Sequence, residues 1–167
     1  MWINLFFQKK EGYDLFLSHS YLDKKLIVTL VSLFNESGYS VYVDWLEDEH
    51  LDRSNVSTET AKFIKNRINQ SKGLTIIATE STTFSKWCPW ELGIADGMLN
   101  GRACILPILK DDGDFSGQEY LGMYPYLDYE TSITGEKEFW LNSSIDKNEY
   151  VSLNSWLNGK SPSYHSN

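Results

Sequence analysis

Hydrophobic positions along the chain fall into short apolar runs that alternate with amphipathic segments. Residues 15–17 form a continuous apolar run, which is typical of a strand whose two faces are both covered. Apolar side chains then recur at three- and four-residue intervals over residues 27–34, and Gly38 follows them. This spacing predicts a first helix, because it places the apolar side chains on one face. The pattern therefore begins with a strand and a helix.

The same alternation continues to residue 129. β-Branched and aromatic side chains predict a second strand from Tyr39 to Trp45, and the acidic residues after it predict a loop. The further elements are a helix over 55–71, a strand over 74–79, a helix over 83–100, a strand over 103–109 and a short strand over 124–129. Such alternation favours parallel pairing with right-handed crossovers. The predicted fold class is α/β, doubly wound and flavodoxin-like, with a parallel five-stranded sheet and helices on both faces.

The pattern after the fifth strand is less regular. Residues 139–141 predict a short added strand, and apolar positions over 151–157 predict a final helix that packs on the domain. Residues 111–114 are acidic with one glycine and predict a solvent-exposed turn. We therefore predict one domain over residues 1–135, including a short N-terminal segment, and a C-terminal extension over 136–167 that packs on it.

Length and charge narrow the class of protein. A chain of 167 residues is long enough to bury a central sheet without metal or disulfide support. The formal net charge of −8 disfavours nonspecific binding to nucleic acid or anionic lipid, so we expect no nucleic-acid partner and no membrane partner. Residues 1–7 are mostly apolar but lack a preceding basic region, and polar residues 8–10 follow. This segment is too short for a signal peptide or a membrane span.

The cysteines and acidic residues do not form a metal-binding pattern. Cys88 and Cys104 lack the spacing of a zinc site and are predicted to be reduced thiols in a cytoplasmic protein. Cys88 has the alternative of partial thiolate character at a helix N-terminus. The acidic run from Glu47 to Asp52 lacks the glycine and the closing glutamate of a calcium-binding loop. The sequence therefore predicts no metal.

Candidate chemistry is concentrated between Ser85 and Glu91. Pro89 is tolerated in the first turn of a helix, so Glu91 lies close to a helix N-terminus, where unpaired N–H groups favour a carboxylate. Trp87 lies four positions earlier and shares its helix face. A fixed carboxylate beside a flat aromatic surface suits cleavage of an N-glycosidic bond, because it can stabilise a sugar carbon that becomes positively charged. The alternatives are a helix-dipole partner for Glu91 and a core position for Trp87.

Three motifs, in this order, resemble the Toll/interleukin-1 receptor (TIR) domain family and especially its bacterial NAD-cleaving members. They are the aromatic-Asp-apolar-Phe-apolar-Ser segment of residues 13–18, the Val-Tyr-Val-Asp segment of residues 41–44, and the Ser-x-Trp-Cys-x-x-Glu segment of residues 85–91. The resemblance covers roughly residues 13–129. It implies the TIR fold and a catalytic role for Glu91.

The resemblance also implies an activity. TIR enzymes of this kind cleave NAD+ at the nicotinamide–ribose bond and release ADP-ribose or a cyclised form of it. Nicotinamide leaves as a neutral molecule, so one carboxylate can suffice where ordinary glycosides need a paired acid. NAD+ is then the substrate, and no separate cofactor is expected.

The chain is small, and it resembles the signal-producing TIR subunits of Thoeris antiphage defence systems. This resemblance implies self-association between TIR domains and a separate effector that a diffusible nucleotide product activates. The alternative is a noncatalytic TIR adaptor that acts through homotypic contacts. A phosphorelay receiver shares the fold, but the first strand ends in Ser-His-Ser rather than in a phosphoacceptor aspartate.

Ser18, His19 and Ser20 are predicted to contact the substrate. They end the first strand and lead into a helix, where hydroxyl and N–H groups can receive a pyrophosphate or a ribose. The alternative for Ser20 is a helix cap, and the alternative for His19 is a general base. The order of the residues along the chain does not decide between these alternatives.

Asp44, Ser85 and Trp87 complete the predicted substrate-binding set. Asp44 follows the second strand, where it faces the ligand or fixes the next turn. Trp87 is predicted to stack on the substrate. Lys24 and Arg53 are predicted to be solvated, with neutralisation of phosphate charge as the alternative.

Overall fold

The computed structural model describes residues 12–108, 119–146 and 148–165. The apolar N-terminal segment and the turn predicted at residues 111–114 lie outside this part of the chain. The strands are β1 (Tyr13–Ser18), β2 (Val41–Tyr42), β3 (Ser71–Ala78), β4 (Ala103–Pro107), β5 (Tyr126–Thr131), β6 (Lys137–Asn142), β7 (Glu149–Ser152) and β8 (Ser163–Tyr164). The helices are α1 (Lys24–Glu36), α2 (Asp44–Glu47), α3 (Thr58–Asn69), α4 (Trp87–Met98) and α5 (Leu153–Leu157), and short 3-10 helices span Tyr21–Asp23, Glu80–Phe84 and Glu119–Met123.

These strands form one sheet in the order β2-β1-β3-β4-β5-β6-β7-β8. The first five pair in parallel, which confirms the doubly wound α/β prediction. The other three pair antiparallel and lengthen the sheet to eight strands, where the sequence predicted five parallel strands and one short added strand. β2 lies on one side of β1 and β3 on the other, so the order in which strands are added reverses between β1 and β3. Ligands of doubly wound folds bind beyond the strand C-termini at such a switch point.

The hydrophobic core lies on both faces of the sheet. Leu15 and Leu17 of β1 pack in a cluster with α1 and α5, whereas Phe16 between them packs in a second cluster with α3 and α4. Alternate residues of a strand point to opposite faces, so a strand covered on both faces requires an unbroken apolar run. This arrangement explains the sequence of β1.

The C-terminal region continues the sheet. β6 pairs with β5 over six residue pairs, and Phe139 stacks on Phe34 of α1 with ring centroids 4.3 Å apart. The strand predicted at 139–141 is confirmed, and the final helix is confirmed over a shorter span, because Val151 belongs to β7. The division of the chain at residue 135 stays a prediction.

Trp156 of α5 packs directly on the backbone of the central strand β3. A Cβ atom built on Gly73 would lie 2.9 Å from the indole of Trp156 and 3.1 Å from the side chain of Leu157. Glycine at this position therefore leaves the space that the indole occupies. The contact joins α5 to the parallel part of the sheet.

The second strand is shorter than predicted. The sequence predicted a strand from Tyr39 to Trp45, but only Val41–Tyr42 pairs, and the helix α2 begins at Asp44. The indole of Trp45 donates to the His19 ring at 3.0 Å, and the Asp44 carboxylate accepts from Arg53 at 2.7 Å. These tertiary contacts outweigh the β propensity of the segment.

The helix that carries Glu91 begins later than predicted. Residues 80–84 form a separate 3-10 helix, and Ser85 is extended with ψ of 130°, so α4 begins at Trp87. The Thr79 and Thr82 side chains cap the start of the 3-10 helix reciprocally, and the extended backbone at Ser85 separates this helix from α4.

Candidate functional site

A cavity of about 750 Å³ opens beyond the C-terminal ends of β1 and β2. It lies next to the switch point between β1 and β3, where the fold favours ligand binding. The side chains that line it come from the segment after β1, from α2 with the loop that follows it, and from the start of α4. They are His19, Tyr21, Lys24, Asp44, Trp45, Glu49, His50, Leu51, Asp52, Arg53, Ser54, Ser85 and Trp87.

Glu91 lies behind one wall of this cavity. It is the fifth residue of α4, close to the helix start as Pro89 predicts, and its side chain is 0% exposed. Ser18 Oγ donates to Glu91 Oε2 at 2.6 Å, and the Arg53 guanidinium donates to Oε1. Both carboxylate oxygens are therefore engaged, and Arg53 separates the carboxylate from the cavity.

The Arg53 guanidinium bridges two buried carboxylates. Nη2 contacts Glu91, and Nη1 donates to Asp44 Oδ2 at 2.7 Å. Burial disfavours the charged guanidinium, but the facing carboxylates of Glu91 and Asp44 hold the pKa of Arg53 above its ordinary value. The Arg53 side chain is 16% exposed, so the prediction that it is solvated was wrong.

Trp87 is half-buried and holds the loop in place. Its indole Nε1 donates to the backbone carbonyl of Arg53 at 2.8 Å, and the guanidinium carbon lies 5.6 Å from the indole centroid. Part of the ring packs against the core beside Trp90, and part lines the cavity. An aromatic face next to the Arg53 cation is thus available at the cavity wall.

His19 has both ring nitrogens engaged within the protein. The Trp45 indole N–H donates to Nε2 at 3.0 Å, and Nδ1 lies 2.9 Å from the carbonyl oxygen of Leu17. An indole N–H only donates, so Nε2 accepts and the proton lies on Nδ1. The ring is therefore neutral, its 3.6 Å contact with Asp44 is not an ion pair, and it is not placed to act as a general base.

Asp44 presents an unused acceptor. Within the described residues, its Oδ1 is a buried oxygen without a hydrogen-bond partner, while Oδ2 accepts from Arg53. The side chain is 9% exposed and lines the cavity. An unsatisfied buried oxygen costs free energy, so a ligand hydroxyl that donated to Oδ1 would gain from the contact.

The three serines of the predicted site differ in position. Ser18 is fully buried and contacts Glu91 rather than the cavity. Ser20 Oγ accepts from the Leu22 amide, so the structure shows it as the cap of a 3-10 helix. Ser85 lines the cavity, and its hydroxyl accepts from the Cys88 amide at 3.2 Å.

The family model for the TIR domain matches residues 15–139. The chain belongs to the TIR domain family. It is 45% identical over 154 residues to "Probable 3' cyclic ADP-D-ribose synthase ThsB'" of Bacillus cereus (strain MSX-D12), which covers 90% of this chain and 78% of that protein. It is 40% identical over 99 residues to the candidate cyclic ADP-D-ribose synthase TIR2 of Cytobacillus dafuensis, over 59% of this chain and 26% of that protein.

Among solved structures, the chain is similar to the TIR domain of the Toll-related receptor TRR-2 of Hydra magnipapillata. The TM-score is 0.47 and the identity 17%, over 62% of this chain and 77% of that chain. No helix within the described residues is long and apolar enough to cross a membrane. The same residues contain no group of three or more His, Cys, Asp or Glu side chains that could hold a metal ion.

Arg53 belongs to the loop of residues 48–57 between α2 and α3, and the first residue of this loop, Asp48, is anchored as well. Asp48 is 3% exposed and accepts from the Arg67 guanidinium at 2.7 and 2.8 Å and from the Tyr42 hydroxyl at 2.9 Å. Ion pairs therefore hold the loop at both Asp48 and Arg53, and only the Arg53 bridge touches Glu91. Sequence reasoning missed Asp48, Arg67 and the bridging role of Arg53, because only tertiary structure pairs these charges.

Lys24 forms another part of the cavity wall. Its Nζ lies 4.0 Å from the Tyr21 ring centroid and 5.0 Å from the Trp45 ring centroid. All three side chains line the cavity, which gives this wall a cation between two aromatic surfaces. Such a surface suits an anionic group attached to a flat ring.

Cys88 is a buried thiol next to Glu91. Burial, followed by the nearby Glu91 carboxylate, raises the pKa of the Cys88 thiol to about 11. Burial likewise raises the pKa of the Cys104 thiol to about 12. Both cysteines are free in the structure, in agreement with the sequence prediction, and thiolate character at Cys88 is disfavoured.

We expect neither thiol to react with Ellman's reagent at pH 8 while the protein is folded. The thiolate is the reactive form; the raised pKa values keep both thiols protonated at this pH, and burial keeps the sulfur atoms from the reagent. Both thiols should react within minutes in denaturant. Phe84→Cys, at a position that is 84% exposed, provides the reactive control. Fast reaction of the native parent protein would contradict the buried positions.

Proposed function

We propose that this TIR protein cleaves NAD+ at the nicotinamide–ribose bond and forms an ADP-ribose-type product, in cyclic form, as a signal in antiphage defence. The observation that carries the proposal is the Glu91 carboxylate, held by Ser18 behind Arg53 in the wall of a cavity next to the switch point of the sheet. The 45% identity to a protein named as a 3' cyclic ADP-D-ribose synthase supports the same activity. NAD+ is the substrate, and the proposal requires neither a metal nor a separate cofactor.

Glu91 stabilises the positive charge that develops on the ribose as nicotinamide departs. The carboxylate is fully buried, and a fixed charge acts more strongly in a dry site than in water. Ser18 holds the carboxylate in place. Because the Arg53 guanidinium contacts Oε1, it must leave this oxygen before Glu91 can face the ribose.

The other cavity residues orient the dinucleotide. Asp44 Oδ1 has no partner in the described residues and accepts a ribose hydroxyl. Trp87 stacks on the nicotinamide ring, and Ser85 lies beside it at the cavity wall. Lys24, which lies near the Tyr21 and Trp45 rings in the cavity wall, neutralises phosphate charge. The cavity of about 750 Å³ has the size that ligand pockets for small molecules have.

A cyclic product requires that an internal nucleophile captures the ribose cation before water does. A closed cavity favours this outcome, because it excludes water from the reacting carbon. The product then diffuses to a separate effector, and the protein acts in the cytoplasm.

TIR–TIR self-association forms part of the proposal. Leu22 and Phe84 are 78% and 84% exposed, and both lie on 3-10 helices at the C-terminal edge of the sheet. The Thr79 hydroxyl donates to Asp23 at 2.7 Å and joins the two segments. A noncatalytic adaptor would use the same surface, so activity must separate the two functions.

The test is incubation of the purified protein with NAD+ over a series of protein concentrations. We expect nicotinamide to accumulate, with a second product whose mass equals that of NAD+ minus nicotinamide, resolved by chromatography and mass spectrometry. A product heavier by one water would show hydrolysis without cyclisation. Absence of nicotinamide at every protein concentration, together with concentration-dependent association, would favour the adaptor.

A further inference from the structure

We propose that the Arg53 guanidinium occupies a binding site for a planar organic cation, and that the cationic nicotinamide ring of the substrate replaces it there. The inference rests on the proposed function, because it assigns a place to the departing ring. The site is bounded by the carboxylates of Glu91 and Asp44 and by the indole of Trp87.

The two carboxylates of this site require a positive charge between them. The Glu91 and Asp44 side chains are 0% and 9% exposed, so both carboxylates lie out of water beside one another. Two buried anions require a cation, and the Arg53 guanidinium supplies it in the structure. A ligand that displaces Arg53 must therefore bring a positive charge of its own.

The site that Arg53 fills also suits a flat group. The guanidinium is flat, and its carbon lies 5.6 Å from the Trp87 indole centroid. A pyridinium ring is also flat and carries a delocalised positive charge, so an aromatic face attracts both groups in the same way. A ring placed there brings the attached ribose carbon towards Glu91, where the proposed chemistry occurs.

Arg53 can leave this place without unfolding the loop. Its backbone carbonyl accepts from the Trp87 indole at 2.8 Å, while its side chain already lines the cavity. A rotation of the side chain alone moves the guanidinium from Glu91 into the cavity. There it can pair with the diphosphate of the same substrate, since a guanidinium binds phosphate oxygens through two parallel hydrogen bonds.

The consequence is competition within one molecule. A site that its own side chain fills for most of the time binds an external cation more weakly, in proportion to the fraction of open molecules. Removal of the guanidinium should therefore strengthen binding of a planar cation. Removal of the Arg67 guanidinium, which anchors the same loop through Asp48, should not strengthen this binding.

The test uses 1-methylnicotinamide, a planar cation that has no ribose and cannot be cleaved at a glycosidic bond. Its equilibrium binding is measured by calorimetry on the full chain. We expect Arg53→Ala to bind it at least about tenfold more tightly than the parent protein, which corresponds to an open fraction of a tenth or less in the parent. Adding Glu91→Gln to Arg53→Ala should abolish the gain.

Two matched controls separate this effect from a loosened loop. Arg67→Met breaks the ion pair with Asp48 at the first residue of the loop and should leave binding of 1-methylnicotinamide unchanged. Neutral nicotinamide has nearly the same shape and should gain little from Arg53→Ala. Arg53→Lys keeps a positive charge but loses the planar fork, so its gain should be smaller; it also serves if the alanine variant does not fold.

Unchanged binding of 1-methylnicotinamide by both Arg53 variants would overturn the inference. Equal gains in Arg67→Met, or for neutral nicotinamide, would overturn it as well. None of these outcomes bears on NAD+ cleavage by the parent protein, which is measured separately. Failure of the proposed function would instead appear as absence of cleavage, whatever the Arg53 variants bind.

Discussion

Glu91→Gln is expected to lower the rate of nicotinamide release from NAD+ by at least about 10²–10³-fold, because it removes the charge that stabilises the developing ribose cation. The amide has nearly the same shape as the carboxylate. Its oxygen can accept from Arg53, and its NH2 group can donate to Ser18 Oγ, which accepts as well as donates. The substitution therefore changes charge while it keeps the local packing.

Initial rates at saturating NAD+ measure this effect, with nicotinamide quantified by chromatography. Glu49→Gln is the matched control, because Glu49 lines the same cavity but is exposed and does not contact Glu91 or Arg53 in the described hydrogen bonds. It should retain activity within about threefold, as expected for an exposed charge at the rim. Equal rates for Glu91→Gln and the parent protein would refute a catalytic role for this carboxylate.

Trp156→Ala is expected to lower the free energy of unfolding by about 3–5 kcal/mol, the range for removal of a large aromatic side chain from a packed core. The indole is 4% exposed and lies directly on the backbone of β3 at Gly73. The surrounding chain cannot close the gap easily, because β3 has neighbours on both sides in the sheet. Much of the total stability of a domain of this size would be lost.

Urea unfolding followed by far-ultraviolet circular dichroism measures the change without dependence on tryptophan fluorescence. Ile145→Ala, at a position that is 95% exposed, removes an apolar side chain from the same C-terminal region and should change the free energy by no more than about 0.5 kcal/mol. A loss of less than about 1 kcal/mol for Trp156→Ala would show that α5 does not complete the core.

The parts of the fold that follow from local pattern were predictable from sequence. The apolar run of β1 and the periodic apolar face of α1 each determine one element, and Pro89 places Glu91 close to a helix start. These signals depend on residues that are near one another in sequence. Strand β2 was predicted too long, because contacts of Asp44 and Trp45 with distant residues decide its end.

Four positions of the predicted site, His19, Asp44, Ser85 and Trp87, line one cavity, whereas Ser18, Ser20 and Glu91 do not. Their roles toward a substrate stay predictions, and the geometry that joins them was not predictable. Arg53 is 38 residues from Glu91 in sequence, and nothing local marks it as a partner of that carboxylate. The ion pairs of the loop involve buried carboxylates. A hydrophobic pattern predicts which apolar residues are buried, but it does not predict which charged residues are.

The outer strands of the sheet limit how copies of this protein can join. Within the described residues, the sheet is bounded by β2 and β8, and each is only two residues long. Such short edge strands offer few unpaired backbone N–H and C=O groups to an incoming strand. A filament or dimer built by continuous hydrogen bonding from one sheet to the next is therefore disfavoured relative to docking through side-chain surfaces.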